Sequence, residues 1–272
     1  MGDAAEALEK KLGGSLVTPD DEDYDTARRV WNGMIDRRPA LVARCRGVAD
    51  VVEAVRFARE NPLPLAVRGG GHNVAGFATC DDGLVIDLSG MRAVRTDPGR
   101  RRVRVQGGAT WGDVDRETQV FGLAAPGGIV STTGVAGLTL GGGQGWLRRT
   151  HGMTCGSLVS ADVVTPDGGF LVASEAENAD LFWALRGGGG NFGVVTSLEF
   201  ELHLVGPTVA FAGPVYPMEE APGLLAAFRS FMADAPDEIN ASATFWTIPA
   251  APAFPDALHG RNVLVLGGVF AG

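Results

Sequence analysis

The chain lacks most of what would announce a common function class. Its three cysteines, Cys45, Cys80 and Cys155, are an odd number without close spacing, so no disulfide framework is implied. The opening MGDAAEALEKKLGG has no apolar core of a secretory signal. No later stretch reaches the ~18 uninterrupted apolar residues of a membrane span. The expectation is therefore a soluble, cytoplasmic protein with no membrane partner. Positive charge is also short: 23 Lys and Arg against 32 Asp and Glu give a net charge of −9. A nucleic-acid partner is not expected, because neutralising phosphates needs clustered cations. The one dense basic run, Arg100-Arg101-Arg102 with Arg104, lies at a turn entering an alternating strand and reads as a solvated face. No G-x-x-x-x-G-K-[ST] or G-x-S-x-G motif occurs, which argues against a P-loop nucleotidase and a serine-hydrolase elbow. His151 and Cys155 are spaced as two metal ligands could be, but a zinc site wants three or four. No metal is expected.

What the chain has in excess is glycine: 40 of 272 residues, roughly twice the usual ~7%. There is no Gly-X-Y period and no Ser- or Gln-rich tract, so neither collagen nor low-complexity disorder explains it. The glycines concentrate in segments 68–76, 127–145 and 187–193. Gly188, Gly190 and Gly193 match G-x-G-x-x-G literally. A helix precedes them and a strand follows, the reverse of the dinucleotide fingerprint. Together the segments carry little charge and many backbone N–H groups, which suits a pyrophosphate, with Arg68 the fixed cation beside the first. Three tight turns remain the plain alternative. By spacing alone His72 reads as a surface residue or a local hydrogen-bonder, and Cys155 as inert packing.

Coarse elements place these segments. A strand at 41–45 leads into a helix that Asp50 and Glu53 read as opening with a capping box, its apolar stripe being Val51, Val55 and Ala58. Asn61-Pro62 stops it, and a strand at 63–68 completes a βαβ unit. Strands follow at 84–89 and 102–106, and then a helix capped by Thr110 and Asp113. A hairpin at 161–174 turns at Thr-Pro-Asp-Gly-Gly. After it come a helix at 178–185 and a strand at 193–202. Past Gly206-Pro207 glycine thins, and the pattern reads as a strand (208–216), a helix (218–233) and strands at 240–248 and 262–270. Three strands on one helix would leave edges unpaired, so the second part reads as cut short.

The motifs RGGGHN (68–73), TTGVAGLTLGGGQGWLRRTHGMTCGSL (132–158) and DLFWALRGGGGNFGVVTSLEFEL (180–202) closely resemble the berberine-bridge-enzyme-like flavoproteins. These belong to the vanillyl-alcohol-oxidase, or p-cresol-methylhydroxylase-type, superfamily. IDLSGM (86–91) and GGATWGDV (107–114) support the resemblance, which covers about residues 24–205. It implies an α+β fold: an FAD-binding domain of two α/β subdomains (1–205), followed by an incomplete α+β substrate domain (206–272).

The resemblance also implies FAD as cofactor. The loop Arg68, Gly69, Gly70, Gly71, His72 and Asn73 would hold the pyrophosphate, with His72 bonded to the flavin 8α carbon. Cys155 would bond to flavin C6. The sequence departs from the family directly after it, having Gly156-Ser157 where Asp-Asn is common. Gly134, Gly137, Gly141, Gly142 and Gly143 would line the flavin, and Gly193 and Val195 would contribute backbone near it. Val135 falls where a small residue leaves oxygen access. The implied activity is an oxidase, passing hydride from a small-molecule alcohol or amine carbon to covalently bound flavin with molecular oxygen as acceptor. The family's tyrosine or carboxylate base is expected beyond residue 272, so no catalytic residue is assigned. The alternative is a non-catalytic or split flavin-binding fragment. Oligomeric state is not assigned.

Overall fold

A computed structural model describes residues 2–272. The chain divides into two compact units. The first runs through Gly145 and resumes with Met153–Leu204; the second joins Trp146–Gly152 to Val205–Gly272.

The first unit opens with helix α1 (Gly2–Glu9) and carries two larger sheets, besides a short antiparallel pairing of Leu123–Ala124 with His203–Leu204. One sheet contains β1 (Ser15–Val17), β2 (Leu41–Arg44), β3 (Leu65–Arg68) and β4 (Leu84–Asp87) in the order β1-β2-β4-β3. β2 and β3 both run parallel to β4, joined by helix α2 (Val48–Glu60) as the expected βαβ crossover. All four residues of β4 are buried, as suits a parallel central strand covered on both faces. Val51, Ala54, Val55, Phe57 and Ala58 of α2 pack onto Leu41, Ala43, Leu84 and Ile86.

Asp50 departs from the sequence expectation. The helix begins at Val48 with Gly47 as its N-cap, so Asp50 lies inside the first turn. There its buried carboxylate accepts N–H groups from Gly13 (2.8 Å), Gly14 (3.1 Å) and Arg46 (2.8 Å). It ties the N-terminal loop to the helix instead of capping it.

The second sheet is antiparallel: β5 (Val94–Asp97), β6 (Arg102–Gln106), β7 (Leu158–Val164), β8 (Phe170–Ser174) and β9 (Val194–Glu201) in the order β5-β6-β9-β7-β8. Helix α3 (Trp111–Thr118) starts at the Thr110–Asp113 capping box that the sequence anticipates. Helix α4 (Val135–Leu140) and helix α5 (Ala179–Leu185) add to the same core, in which Trp111, Phe200, Leu185 and Leu198 are almost completely buried.

The second unit is one sheet with helix α6 (Ala221–Asp234). It has four strands where three were expected. Gly213 and Pro214 split the first into β10 (Ala210–Ala212) and β11 (Val215–Pro217), since proline cannot donate to a ladder. Both pair with the same side of β13 (Asn262–Phe270), while β12 (Ile239–Thr247) pairs along its full length. The loop 146–152 is bound into this unit. Arg149 donates to the carbonyls of Ile239 (3.0 Å) and Ala235 (2.9 Å), and Asn240 donates to Trp146 O (3.0 Å).

Candidate functional site: a glycine cradle around His72

The site is built where backbones approach too closely for side chains. At Gly70 a Cβ would lie 2.3 Å from Gly134 N, and at Gly134 one would lie 2.4 Å from Gly70 N. Gly69 stands likewise against Gly107 O (2.9 Å), Gly107 against Val195 O (2.4 Å), and Gly108 against Leu88 O (1.7 Å). These contacts bring the end of β3, the turn after β6, the N-cap of α4 and the start of β9 together. Gly71, at φ +68°, turns the chain out of the cradle.

The backbone N–H groups of Gly69, Gly70, Gly71, His72 and Asn73 donate to no acceptor among the described residues. Such a run of successive free donors is an anion-binding concavity. A cavity of about 690 Å³ opens beside it, lined by the 29–31 segment, Arg68, Gly69, Gly70, Gly71, His72, Asp87, Ser89, Arg92, Gly108, Thr110 and Thr132, among others. A free-donor run beside a cavity of that size fits a dinucleotide such as FAD.

Arg68 behaves differently from the sequence expectation. It borders the cavity, but its guanidinium meets Asp87 at 2.6 Å (Nη2–Oδ2) and 3.2 Å (Nε–Oδ1). It also donates to the carbonyls of Ala27 and Arg29. Both side chains are buried, 10% and 2% exposed. Asp87 accepts two further bonds from Ser89, one from N–H and one from the hydroxyl, both 3.0 Å. The charge of Arg68 is thus matched inside the protein. The residue braces the loop, and the free backbone N–H groups are left to meet an anion.

His72 is half-buried in the loop. Its Nε2 lies 3.1 Å from the Thr132 hydroxyl and its Nδ1 3.4 Å from that of Thr133. The Trp31 indole stacks on the ring, with centroids 5.3 Å apart and planes at 20°. Burial pushes the His72 pKa below its ordinary 6.5, which favours the neutral, nucleophilic imidazole.

Cys155 lies at the other end of α4. Its N–H donates to Gly142 O (2.9 Å), its carbonyl accepts Arg186 Nε (3.0 Å), and Thr154 N–H donates to Gly143 O (3.0 Å). A Cβ at Gly143 would lie 2.6 Å from the Thr154 hydroxyl, which is buried without a hydrogen-bond partner among the described residues. Thr132, Thr133 and Gly134 precede α4 and Gly141–Gly143 follow it. His72 and Cys155 thus flank a helix of six residues, about 9 Å long.

The remaining expected site residues are spread around this frame. Asn73 is exposed and shapes its own turn, accepting Phe77 N–H at 3.1 Å. Val135 is fully buried in the core and borders no part of the cavity. Gly137 has open space where a Cβ would stand, and Gly141 makes only ordinary contacts. Gly193 packs on β7, its Cβ position 2.7 Å from Val164 O. Val195 is buried, and its carbonyl is the one Gly107 approaches. Sequence reasoning missed Trp31, Ser89, Gly108 and Thr132 as site residues. For Ser89, Gly108 and Thr132 the signal was available, because IDLSGM, GGATWGDV and the motif starting TTGVAG contain them.

Comparison with known proteins agrees with this geometry. The family model described as an FAD binding domain matches residues 39–174. The chain belongs to this FAD-binding family. Over 232 residues it is 38% identical to (R)-6-hydroxynicotine oxidase of Paenarthrobacter nicotinovorans, an alignment covering 84% of this chain and 50% of the relative. Over 196 residues it is 41% identical to the FAD-linked oxidoreductase YgaK of Bacillus subtilis, covering 70% of this chain and 44% of that one. Among solved structures, 6-hydroxy-D-nicotine oxidase from Arthrobacter nicotinovorans superposes with a TM-score of 0.86 at 35% identity, over 96% of this chain and 56% of the other. Berberine-bridge-enzyme-like 1 from Physcomitrella patens gives 0.86 at 26% identity, over 98% and 56%. The fold is therefore the p-cresol-methylhydroxylase-type one, and the relatives are FAD-linked oxidoreductases. The chain spans about half the length of the curated relatives it matches.

Proposed function

We propose that this chain binds FAD at the glycine cradle and holds it covalently through His72 and Cys155, as part of an oxidoreductase acting on a small-molecule alcohol or amine with dioxygen as acceptor. The observation that carries the reading is the run of free N–H groups from Gly69 to Asn73, next to a half-buried His72. The flavin, when bound, supplies the two-electron chemistry that no protein side chain provides.

The chain's own residues do the holding. The free N–H groups of the loop receive the anionic pyrophosphate, and the Arg68–Asp87 pair fixes the loop from behind. The hydroxyls of Thr132 and Thr133 bracket the His72 ring nitrogens, and the neutral imidazole carries the lone pair for a bond to carbon. The Cys155 sulfur supplies the second anchor from the far end of α4. The same division between residues 1–205 for the cofactor and 206–272 for the substrate follows from the family reading, with Trp146–Gly152 standing in the second unit. A cytoplasmic location rests on the sequence alone; among the described residues no helix is long and apolar enough to cross a membrane.

Two of the similar proteins are named as oxidases of a hydroxynicotine and of xylooligosaccharides. An amine and an oligosaccharide are therefore the substrate classes to test first. The experiment is turnover of the purified flavoprotein with amine and oligosaccharide panels, following peroxide and oxygen. Peroxide formed in step with oxygen uptake supports an oxidase. Substrate reduction of the flavin without oxygen uptake excludes dioxygen as acceptor.

A further inference from the structure

Trp31 is an exposed tryptophan with no core to serve: 62% of its surface faces solvent. Its indole nonetheless lies flat on the His72 imidazole, at 5.3 Å and 20°. The backbone around it is laced to both sides of His72. Trp31 N–H donates to Gly71 O at 3.0 Å, and the Asn32 side-chain amide donates to Val74 O at 2.8 Å. Position and side chain thus both address the loop that carries the histidine.

We propose that Trp31 is a positioning residue for the attachment reaction at His72, holding the imidazole by stacking so that a ring nitrogen faces the cavity. The inference rests on the reading of His72 as a flavin anchor. An imidazole lone pair lies in the ring plane, so a partner on the flat face restrains the ring without covering the nitrogen. An aromatic pair in offset stacking shifts an equilibrium by about two- to tenfold, enough to bias a loop side chain among its rotamers. The threonine hydroxyls act in the ring plane and set its rotation. The indole supplies the restraint perpendicular to it.

The attachment itself balances as follows. The nitrogen forms a bond to the 8α methyl carbon, while the imidazole N–H and one methyl hydrogen leave as protons. Two electrons remain on the ring system, and dioxygen takes them up with two protons to give hydrogen peroxide. Trp31 enters none of these bonds. Its contribution is geometry, to which such reactions are sensitive: a misplacement of about 1 Å can cost on the order of 100-fold in rate.

The test compares wild type, Trp31→Phe and Trp31→Leu, each prepared flavin-free and incubated with FAD in air. The appearance of acid-insoluble flavin is timed, and dissociable FAD affinity is measured separately by flavin fluorescence. The proposal expects Trp31→Leu to attach flavin about tenfold or more slowly, with affinity changed much less and the unfolding midpoint near that of wild type. Trp31→Phe, which keeps a stacking face, should recover most of the rate. Attachment by Trp31→Leu at the wild-type rate, or slowed only in proportion to lost affinity, overturns the proposal. If wild type itself forms no acid-insoluble flavin, the reading of His72 as an anchor fails, and the proposal falls with it.

Discussion

Replacing Asp87 with alanine strands the Arg68 guanidinium in a site where its side chain is only 10% exposed. Taking one partner from a buried ion pair costs about 3–5 kcal/mol, because the remaining charge cannot return to water. Asp87 also accepts two hydrogen bonds from Ser89, so the upper part of that range is expected. This is a large share of the ~5–15 kcal/mol that stabilises a typical protein. The assay is equilibrium urea unfolding of wild type, Asp87→Ala and Asp87→Asn. With a slope of about 1–3 kcal/mol per molar, the alanine midpoint should fall by at least ~1 M. Asparagine keeps an acceptor for Ser89 and loses the charge, so it should fall between the two. The loop braced by Arg68 begins at the next residue, so FAD uptake by Asp87→Ala should drop under conditions where the protein is still folded. A midpoint within ~0.3 M of wild type would refute the reasoning, since the pair would then be worth no more than a solvent-exposed one.

Three further outcomes follow from named contacts. Asp50→Ala orphans the N–H groups of Gly13, Gly14 and Arg46 and should destabilise by about 2–3 kcal/mol, read as a lowered thermal midpoint; Asp50→Asn should recover part of it. Gly70→Ala places a methyl 2.3 Å from Gly134 N, so FAD uptake should be lost by titration while far-UV circular dichroism stays close to wild type. Burial lowers the His72 pKa below its ordinary 6.5, so the neutral ring persists to lower pH than in a free imidazole. Attachment timed against pH should therefore decline on acidification with a midpoint below the ordinary histidine value of about 6.5; a midpoint above pH 7 would contradict the assigned burial effect.

The parts of this fold that sequence reasoning captured are those written in local pattern. The βαβ crossover is explicit in two apolar runs around an amphipathic helix, and Thr110 with Asp113 sit three residues apart, as a capping box requires. The misread features depend on distant partners. Asp50 looks like a cap until Gly13 and Gly14 fold back onto it from 37 and 36 residues away. Arg68 looks like a free cation until the parallel register sets it opposite Asp87. The Trp31–His72 stack joins two loops whose meeting has no periodic signature. Glycine was the more faithful guide. Its excess reflects steric demand at Gly70, Gly107, Gly108 and Gly134, where backbone meets backbone.

The central claim is that flavin is held covalently at two points flanking α4, and acid precipitation tests it most directly. Wild type, His72→Ala, Cys155→Ala and the double variant are loaded with FAD, precipitated, and the flavin in pellet and supernatant is measured, with mass spectra of the peptides containing residues 72 and 155. The account predicts flavin in the wild-type pellet with adducts on both peptides, retention in Cys155→Ala with an altered spectrum, and complete release from the double variant. Wild-type flavin found entirely in the supernatant would contradict it.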